Sequence, residues 1–301
     1  MTLPELNSLY SDESKCRELL KRLRWPEGAT CPRCKSKTIS RLFTQSKFEC
    51  SDCCYQFSVT AGTVFNDSHL PLTQWFLATL LLCEAKKGMS ACQIQRTLGI
   101  GSYKTAWYLC HRIRHAMAQT DKPMLDGKVE LDATYVGGIN KGKGRICRVD
   151  NKEVVIGIRK RNGDLRFFHS RDAKGGTLAR YIRENVSQDV EVIFTDDASA
   201  NEAAIRKSGM KNHKTITHSK GVYVMGDIHT NTVESAFSLL KRGIMGTWHR
   251  LSAKHLAAYL EEMEFRFNRR NRSDLFLDTL RHMVTAPVLT FKKLTKVNEA
   301  A

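Results

Sequence analysis

Apolar positions change their period several times along this chain. Over residues 1–30, Cys16, Leu19, Leu20 and Leu23 recur at helical spacing, and Trp25-Pro26-Glu27-Gly28 breaks the pattern. Residues 31–67 hold short β-type runs, and residues 68–120 read mostly as helices. Within the latter, Ser90–Leu98 and Ser102–Arg114 are two helical patterns joined by Gly99-Ile100-Gly101, with Ser102 as N-cap of the second. From Val129 the period falls to two. Val129, Leu131, Ala133 and Tyr135 point one way, while Glu130, Asp132 and Thr134 point the other. The runs at 153–159 (EVVIGIR) and 165–171 (LRFFHSR) read as further strands. A helix follows over 177–185, then a buried-type strand VEVIF, then a helix over 198–208. Leu256, Tyr259, Leu260, Met263 and Phe267 later form one face of another helix.

Three strands, a helix, a strand and a helix is the order an α/β ribonuclease-H-like core requires. The expected divisions are a helical lead-in and ribbon over 1–67, a helix-turn-helix-like segment over 68–120, the α/β core over 125–285 and a C-terminal tail over 286–301. Thr120-Asp121-Lys122-Pro123 is the natural boundary before the core.

Charge adds a partner to this outline. Forty-eight Lys and Arg against 31 Asp and Glu leave +17, which suits a polyanion, since neutralising phosphates releases condensed counterions. The second helix of the 90–114 pair has an apolar stripe of Ala106, Leu109, Cys110 and Ile113. Its other face offers Lys104, Arg112 and Arg114 to a DNA groove, although helix pairs of this kind are also ordinary packing units. The N-terminus has no secretory pattern, and the longest apolar run, Trp75–Cys83, is too short to span a bilayer. The expectation is a cytoplasmic, nucleoid-associated protein with double-stranded DNA as partner and no membrane.

A reducing compartment leaves ten cysteines to be explained without disulfides. Cys31-Pro-Arg-Cys34 and Cys50-Ser-Asp-Cys53 are matched C-x-x-C pairs with 15 residues between them. Four thiolates around one tetrahedral ion is the structural zinc arrangement, with no open position for catalysis. Cys54 is a bystander, and Cys16, Cys83, Cys92, Cys110 and Cys147 read as small core hydrophobes. Arg33, Lys35, Lys37, Arg41 and Lys47 make the ribbon basic, as a DNA-facing surface or as an ordinary solvated one.

Three acidic residues sit where ligands are useful. Asp132 lies in the alternating strand, Asp196 ends VEVIFTD, and Glu234 opens the helical run TNTVESAFSLLKRG. Carboxylates from two strands and a helix can hold divalent ions at a phosphodiester. Glu234 has a competing reading as the N3 residue of a capping box with Asn231 as N-cap. Lys241 lies about two turns further on the same face, where it can hold a phosphate; with Arg242 it can equally be a solvated basic pair.

Residues 229–270, together with RWPEGATCPRC (24–34), FSVTAGTVFNDSHLPLTQWFLA (57–78), ELDATYVGG and IFTDDASA, resemble bacterial insertion-sequence transposases of the zinc-ribbon, ISXO-like type. The resemblance covers nearly the whole chain. It implies a DDE transposase: Asp132, Asp196 and Glu234 as acidic ligands of catalytic Mg2+ (Mn2+ as a substitute), and Lys241 as the accompanying basic residue. It further implies structural Zn2+, recognition of terminal inverted repeats, cleavage at element ends, joining of the 3′-OH to target DNA, and at least a homodimer on DNA. His218 and His229 match family positions. Asn201 departs from the pattern, standing near an expected aromatic. Two rivals are a DNA-binding regulator whose α/β part is not catalytic, and a nuclease of the same fold that cuts without joining.

Overall fold

The structure, a computed structural model, describes residues 1–42, 46–118, 121–137, 152–216, 229–249 and 251–296. Cys147 and His218 lie outside the described residues. The chain forms two compact units, one of residues 1–118 with 271–301 and one of residues 119–270.

The first unit starts with α1 (Leu3–Leu9), held by a Thr2–Glu5 capping box, and α2 (Glu13–Arg24), which buries Cys16, Leu19 and Leu20. A three-stranded antiparallel sheet follows: β1 (Ile39–Leu42), β2 (Lys47–Cys50) and β3 (Gln56–Phe57). Phe48 and Phe57 stack at 5.7 Å, and Trp25 meets both edge-on. Then α3 (Leu72–Glu84) runs through the interior with eight buried residues, as its apolar sequence requires. The pair α4 (Ala91–Leu98) and α5 (Tyr103–Met117) is joined as expected, with Gly99 left-handed at φ +63 at the end of α4.

The C-terminal residues complete this unit. In α10 (Leu275–Thr285), Phe276, Leu280, Met283 and Val284 are buried at helical spacing. Phe276 meets Phe76 edge-on, and Thr79 donates to the Met283 sulfur at 3.4 Å. After it, α11 (Phe291–Thr295) sets Phe291 edge-on to Tyr108 at 5.5 Å. Residues 271–285, assigned from sequence to the α/β core, and 286–296, assigned to a tail, therefore serve the helical unit. The apolar stripe of α10 fits the flank of α3 and α5.

The second unit is the α/β core. Its strands are β4 (Lys128–Val136), β5 (Glu153–Lys160), β6 (Leu165–Ser170), β7 (Val192–Asp196) and β8 (His213–Ile216), in the spatial order β6-β5-β4-β7-β8. Here β5 is antiparallel to β4 and β6, whereas β7 is parallel to β4 and β8. On one face, α6 (Gly175–Asn185) and α7 (Ser199–Ser208) cover Val129, Leu131, Ile156, Ile158 and Ile193. On the other, α8 (Asn231–Gly243) and α9 (Ala253–Asn268) cover Val155, Leu165 and Phe167. This is the ribonuclease-H-like fold expected from the element order.

One close approach matters for function. A Cβ on Gly157 of β5 would lie 2.7 Å from Phe237 Cζ and 2.8 Å from Val233 Cγ2, both on α8. Only a residue without a side chain lets α8 settle this low on the sheet. Gly157→Ala is expected to cost about 2 kcal/mol, as overpacking a filled core does; urea unfolding of the variant measures it.

Candidate active site and metal centre

The ribbon brings the two cysteine pairs together. The sulfurs of Cys31 and Cys53 are 3.7 Å apart, those of Cys34 and Cys50 3.5 Å, and all four lie within 4.8 Å of one another. A tetrahedron with Zn–S bonds of about 2.3 Å has edges of roughly 3.8 Å, so the cage has the right size for zinc. Both pairs turn the same way: Lys35 N–H donates to the Cys31 carbonyl and Cys54 N–H to the Cys50 carbonyl, with Lys35 at φ +64 and Cys54 at φ +53. Burial works to raise the Cys31 thiol, but the N–H groups of Cys34 and Arg33 and the neighbouring thiols outweigh it and bring it down to about 6. At Cys53 the Tyr55 N–H works downward, yet burial and the adjacent sulfurs push it up to about 12. The donor set fits structural Zn2+.

The carboxylates are organised by strand register. Glu130 of β4 pairs with Phe194 of parallel β7. Two residues further along each strand are Asp132 and Asp196, so their main chains reach the same level on neighbouring strands. Asp132 is directly opposite Gly157 on β5, and opposed residues share a face. That face is the one on which Val233 and Phe237 of α8 close over Gly157. Glu234 follows Val233 at the start of the same helix. All three acids are partly exposed.

Each acid has a local partner. Asp132 Oδ1 accepts from Ala133 N–H at 2.7 Å, and Asp196 Oδ1 accepts from Ala198 N–H at 3.1 Å and from the Asn201 amide. Glu234 accepts from the Thr230 hydroxyl at 2.7 Å. Among the described residues the four cysteines are the one group of at least three metal-ligating side chains drawn together, so the three carboxylates do not form a closed ligand set. The capping box is also corrected. Thr230, not Asn231, is the N-cap residue and makes no side-chain cap bond. Lys241 and Arg242 are solvent-exposed near the far end of α8.

Glu130 supplies the cap from the sheet. It is fully buried, and its Oε2 accepts from Thr232 N–H (2.9 Å), the Thr232 hydroxyl (2.7 Å) and Val233 N–H (3.0 Å). Its Oε1 accepts from Arg161 Nε at 2.7 Å and lies 3.3 Å from His229 Nδ1. Arg161 also donates to the His229 carbonyl at 2.7 Å and lies 4.1 Å over the Phe194 ring. Thus β4 anchors the first turn of α8 through Glu130, two residues before Asp132 on the same face. Neither Glu130 nor Asn201 stood out in sequence as a site residue. The signal for Glu130 was its alternation with Asp132; that for Asn201 was its departure from the family pattern.

The expected basic face of α5 is corrected for its two arginines. Arg114 is 1% exposed and Arg112 3%. The Arg112 guanidinium lies over the rings of Trp75 (5.0 Å) and Tyr108 (5.1 Å) and donates to the Asn66 carbonyl. Packing of α5 against α3, α4 and α10 leaves only its first turn open, at Tyr103 and Lys104. The Lys104 ammonium lies 4.4 Å over the Phe291 ring. On the ribbon, Arg33, Lys35, Lys37, Arg41 and Lys47 are all exposed. No helix among the described residues is long and apolar enough to cross a membrane.

Comparison with known proteins agrees with this division. Residues 124–268 match the model of the ISXO2-like transposase domain, and residues 11–56 match that of the transposase zinc-ribbon domain. An uncharacterized protein in transposable element ISH50 of Halobacterium salinarum is 28% identical over 275 residues, spanning 85% of this chain and 91% of that protein.

Proposed function

The chain belongs to the ISXO2-like, IS1595-type transposases, and from that premise we propose that it cuts DNA at the ends of its element and joins the freed 3′-OH to target DNA at Asp132, Asp196 and Glu234. Membership makes it a DNA-binding, DNA-processing protein. The observation that supports the finer reading is the register: the first two acids reach one level on adjacent parallel strands, and the helix that carries the third, α8, closes over Gly157 on that face through Val233 and Phe237.

Three carboxylates with no thiol or imidazole among them are hard oxygen donors that suit Mg2+, or Mn2+ in its place. When bound, the metal supplies Lewis-acid charge at the phosphodiester. The protein's own part is placement. Asn201 and the Ala198 N–H fix the Asp196 carboxylate, and Thr230 fixes that of Glu234. Lys241, two turns along α8, offers a cation to a DNA phosphate. In the first step a water oxygen bonds to phosphorus and the bond to the element's 3′ oxygen breaks. The proton lost by water is balanced by the one gained at the new 3′-OH. In the second step that 3′ oxygen bonds to a target phosphorus and displaces a target 3′ oxygen, the proton the attacking 3′-OH loses being matched by the one the departing 3′ oxygen gains.

The exposed basic ribbon and the first turn of α5 would read the terminal inverted repeats, and joining two ends calls for at least a dimer on nucleoid DNA in the cytoplasm. Glu234→Gln is the decisive variant, because its amide oxygen can still accept from Thr230 while the anion is removed. Metal-dependent cleavage of terminal-repeat DNA is expected to fall at least a hundredfold, on the order of removing one group that stabilises the transition state, at unchanged melting temperature. Undiminished cleavage defeats the assignment. Cleavage without joined products on a target plasmid makes the protein a nuclease, and binding without cleavage makes it a regulator.

A further inference from the structure

At the junction of β6 and α6 the core has a second feature suited to DNA. A cavity of about 560 Å³ opens there, lined by His169, Arg171, Asp172, Thr177, Arg180 and Tyr181, among others. Its one lining acid is already engaged. Asp172 accepts from Lys174 N–H at 2.9 Å and from the Thr177 hydroxyl, which hold its carboxyl below the usual range. Glu153 lies 2.6 Å from His169 Nε2. Arg171, Lys174 and Arg180 are all exposed, and the Arg180 guanidinium is laid over the Tyr181 ring at 4.8 Å. Gly176 forms an open wall, where a Cβ would meet nothing within 4 Å.

Register fixes where this cavity stands. Asp132 pairs with Gly157, and Gly157 with Phe167 of β6. At about 4.8 Å between strands, Phe167 is about 10 Å from Asp132. The cavity begins two residues further on, toward the sheet end that β4, β6 and β7 all run to. Arg171 is therefore about 16 Å from Asp132. That is well inside one turn of duplex, roughly 34 Å. Although α6 lies on the face opposite α8, a strand crossing the end of the sheet reaches both.

We infer that this cavity seats a backbone phosphate of the DNA whose scissile bond lies at the carboxylates, with Arg171 and Arg180 as its cations. Only the location of the scissile bond rests on the proposed reaction; the seat itself is tested by binding. The full-length protein is titrated with terminal-repeat duplex over a range of salt. Arg171→Ala with Arg180→Ala is expected to weaken binding at least tenfold at low salt. The slope of log Kobs against log salt should fall by about 0.9 for each phosphate that the variant no longer neutralises.

Gly176→Asp separates binding from folding. An acid in the first turn of a helix is favourable, so its melting temperature should hold or rise, while a carboxylate in the cavity repels phosphate. Methylphosphonate placed at successive positions should find one phosphate whose neutralisation weakens the wild type but not the double variant. Affinity and salt slope equal to wild type in both Gly176→Asp and the double variant would overturn the seat, even if the wild type cleaves. A wild type that binds through this cavity but does not cleave leaves the seat standing and removes the reaction.

Discussion

Stripping the metal from the cysteine cluster with a chelator is expected to unfold residues 25–61 and leave the α/β unit intact. The buried apolar content of the ribbon is small: Phe48 and Phe57, with Trp25, Ile39, Tyr55 and Ala61 partly covered around them. Two of its buried residues, Cys31 and Cys50, are themselves ligands. Domains of this size need a metal to fold, and zinc bound by four such ligands contributes about 10 kcal/mol or more. The knuckles add to the demand, since Lys35 and Cys54 occupy left-handed backbone that costs a non-glycine residue roughly 1–2 kcal/mol. Hydrogen exchange before and after chelation measures the effect. Amides of β1 and β2 should lose protection, and Cys34→Ser should mimic the loss. Those of β4 and β5, within a sheet covered on both faces, should keep it. Unchanged protection at the Cys50 and Phe48 amides after complete metal removal would show that the ribbon stands on its apolar packing alone.

Much of this architecture could be read before the fold was known, for particular reasons. Spacing alone found the zinc cage, because two C-x-x-C pairs separated by a hairpin's length have few other uses. Alternation in VELDATYV placed Val129 and Leu131 in the core under α6 and α7, and Glu130 on the opposite face. What escaped was set by tertiary packing. The strand β8 is only His-Lys-Thr-Ile, too short and too polar to show a period, and it forms because β7 offers it a parallel edge. Arg112 and Arg114 looked like a surface because arginine usually is one. Trp75 and Tyr108 shelter the first, and the depth of α5 in its unit buries both. The stripe of α10 was visible, but a helical period does not say which partner it will meet. Among the three acids the sequence could supply identity and element, while the device that joins the elements, Glu130, resembled any other strand glutamate.

That device predicts the largest effect of a single substitution in the core. Glu130→Ala is expected to destabilise the α/β unit by about 3–5 kcal/mol, the range for removing one partner of a buried ion pair. The remaining Arg161 side chain is only 12% exposed, and its guanidinium, held over Phe194, would lose the buried carboxylate it donates to. The N–H groups of Thr232 and Val233 would lose their acceptor, and no cap bond from the Thr230 side chain replaces it. Glu130→Gln should cost less, because one amide oxygen still accepts, but its NH2 then meets a donor on one side. Function should respond beyond stability. Compared at a temperature where both variants are folded, cleavage should fall for Glu130→Gln and further for Glu130→Ala. On the proposed reaction, a higher Mg2+ concentration should be needed for half-maximal rate, since Glu130 anchors the first turn of α8, which carries Glu234. A Glu130→Ala protein within about 1 kcal/mol of wild type, the net worth of an ordinary hydrogen bond, would show that α8 is held by Val233, Phe237 and Leu240 alone. A destabilised protein whose metal dependence is unchanged would restrict Glu130 to the fold and detach it from the placement of the third acid.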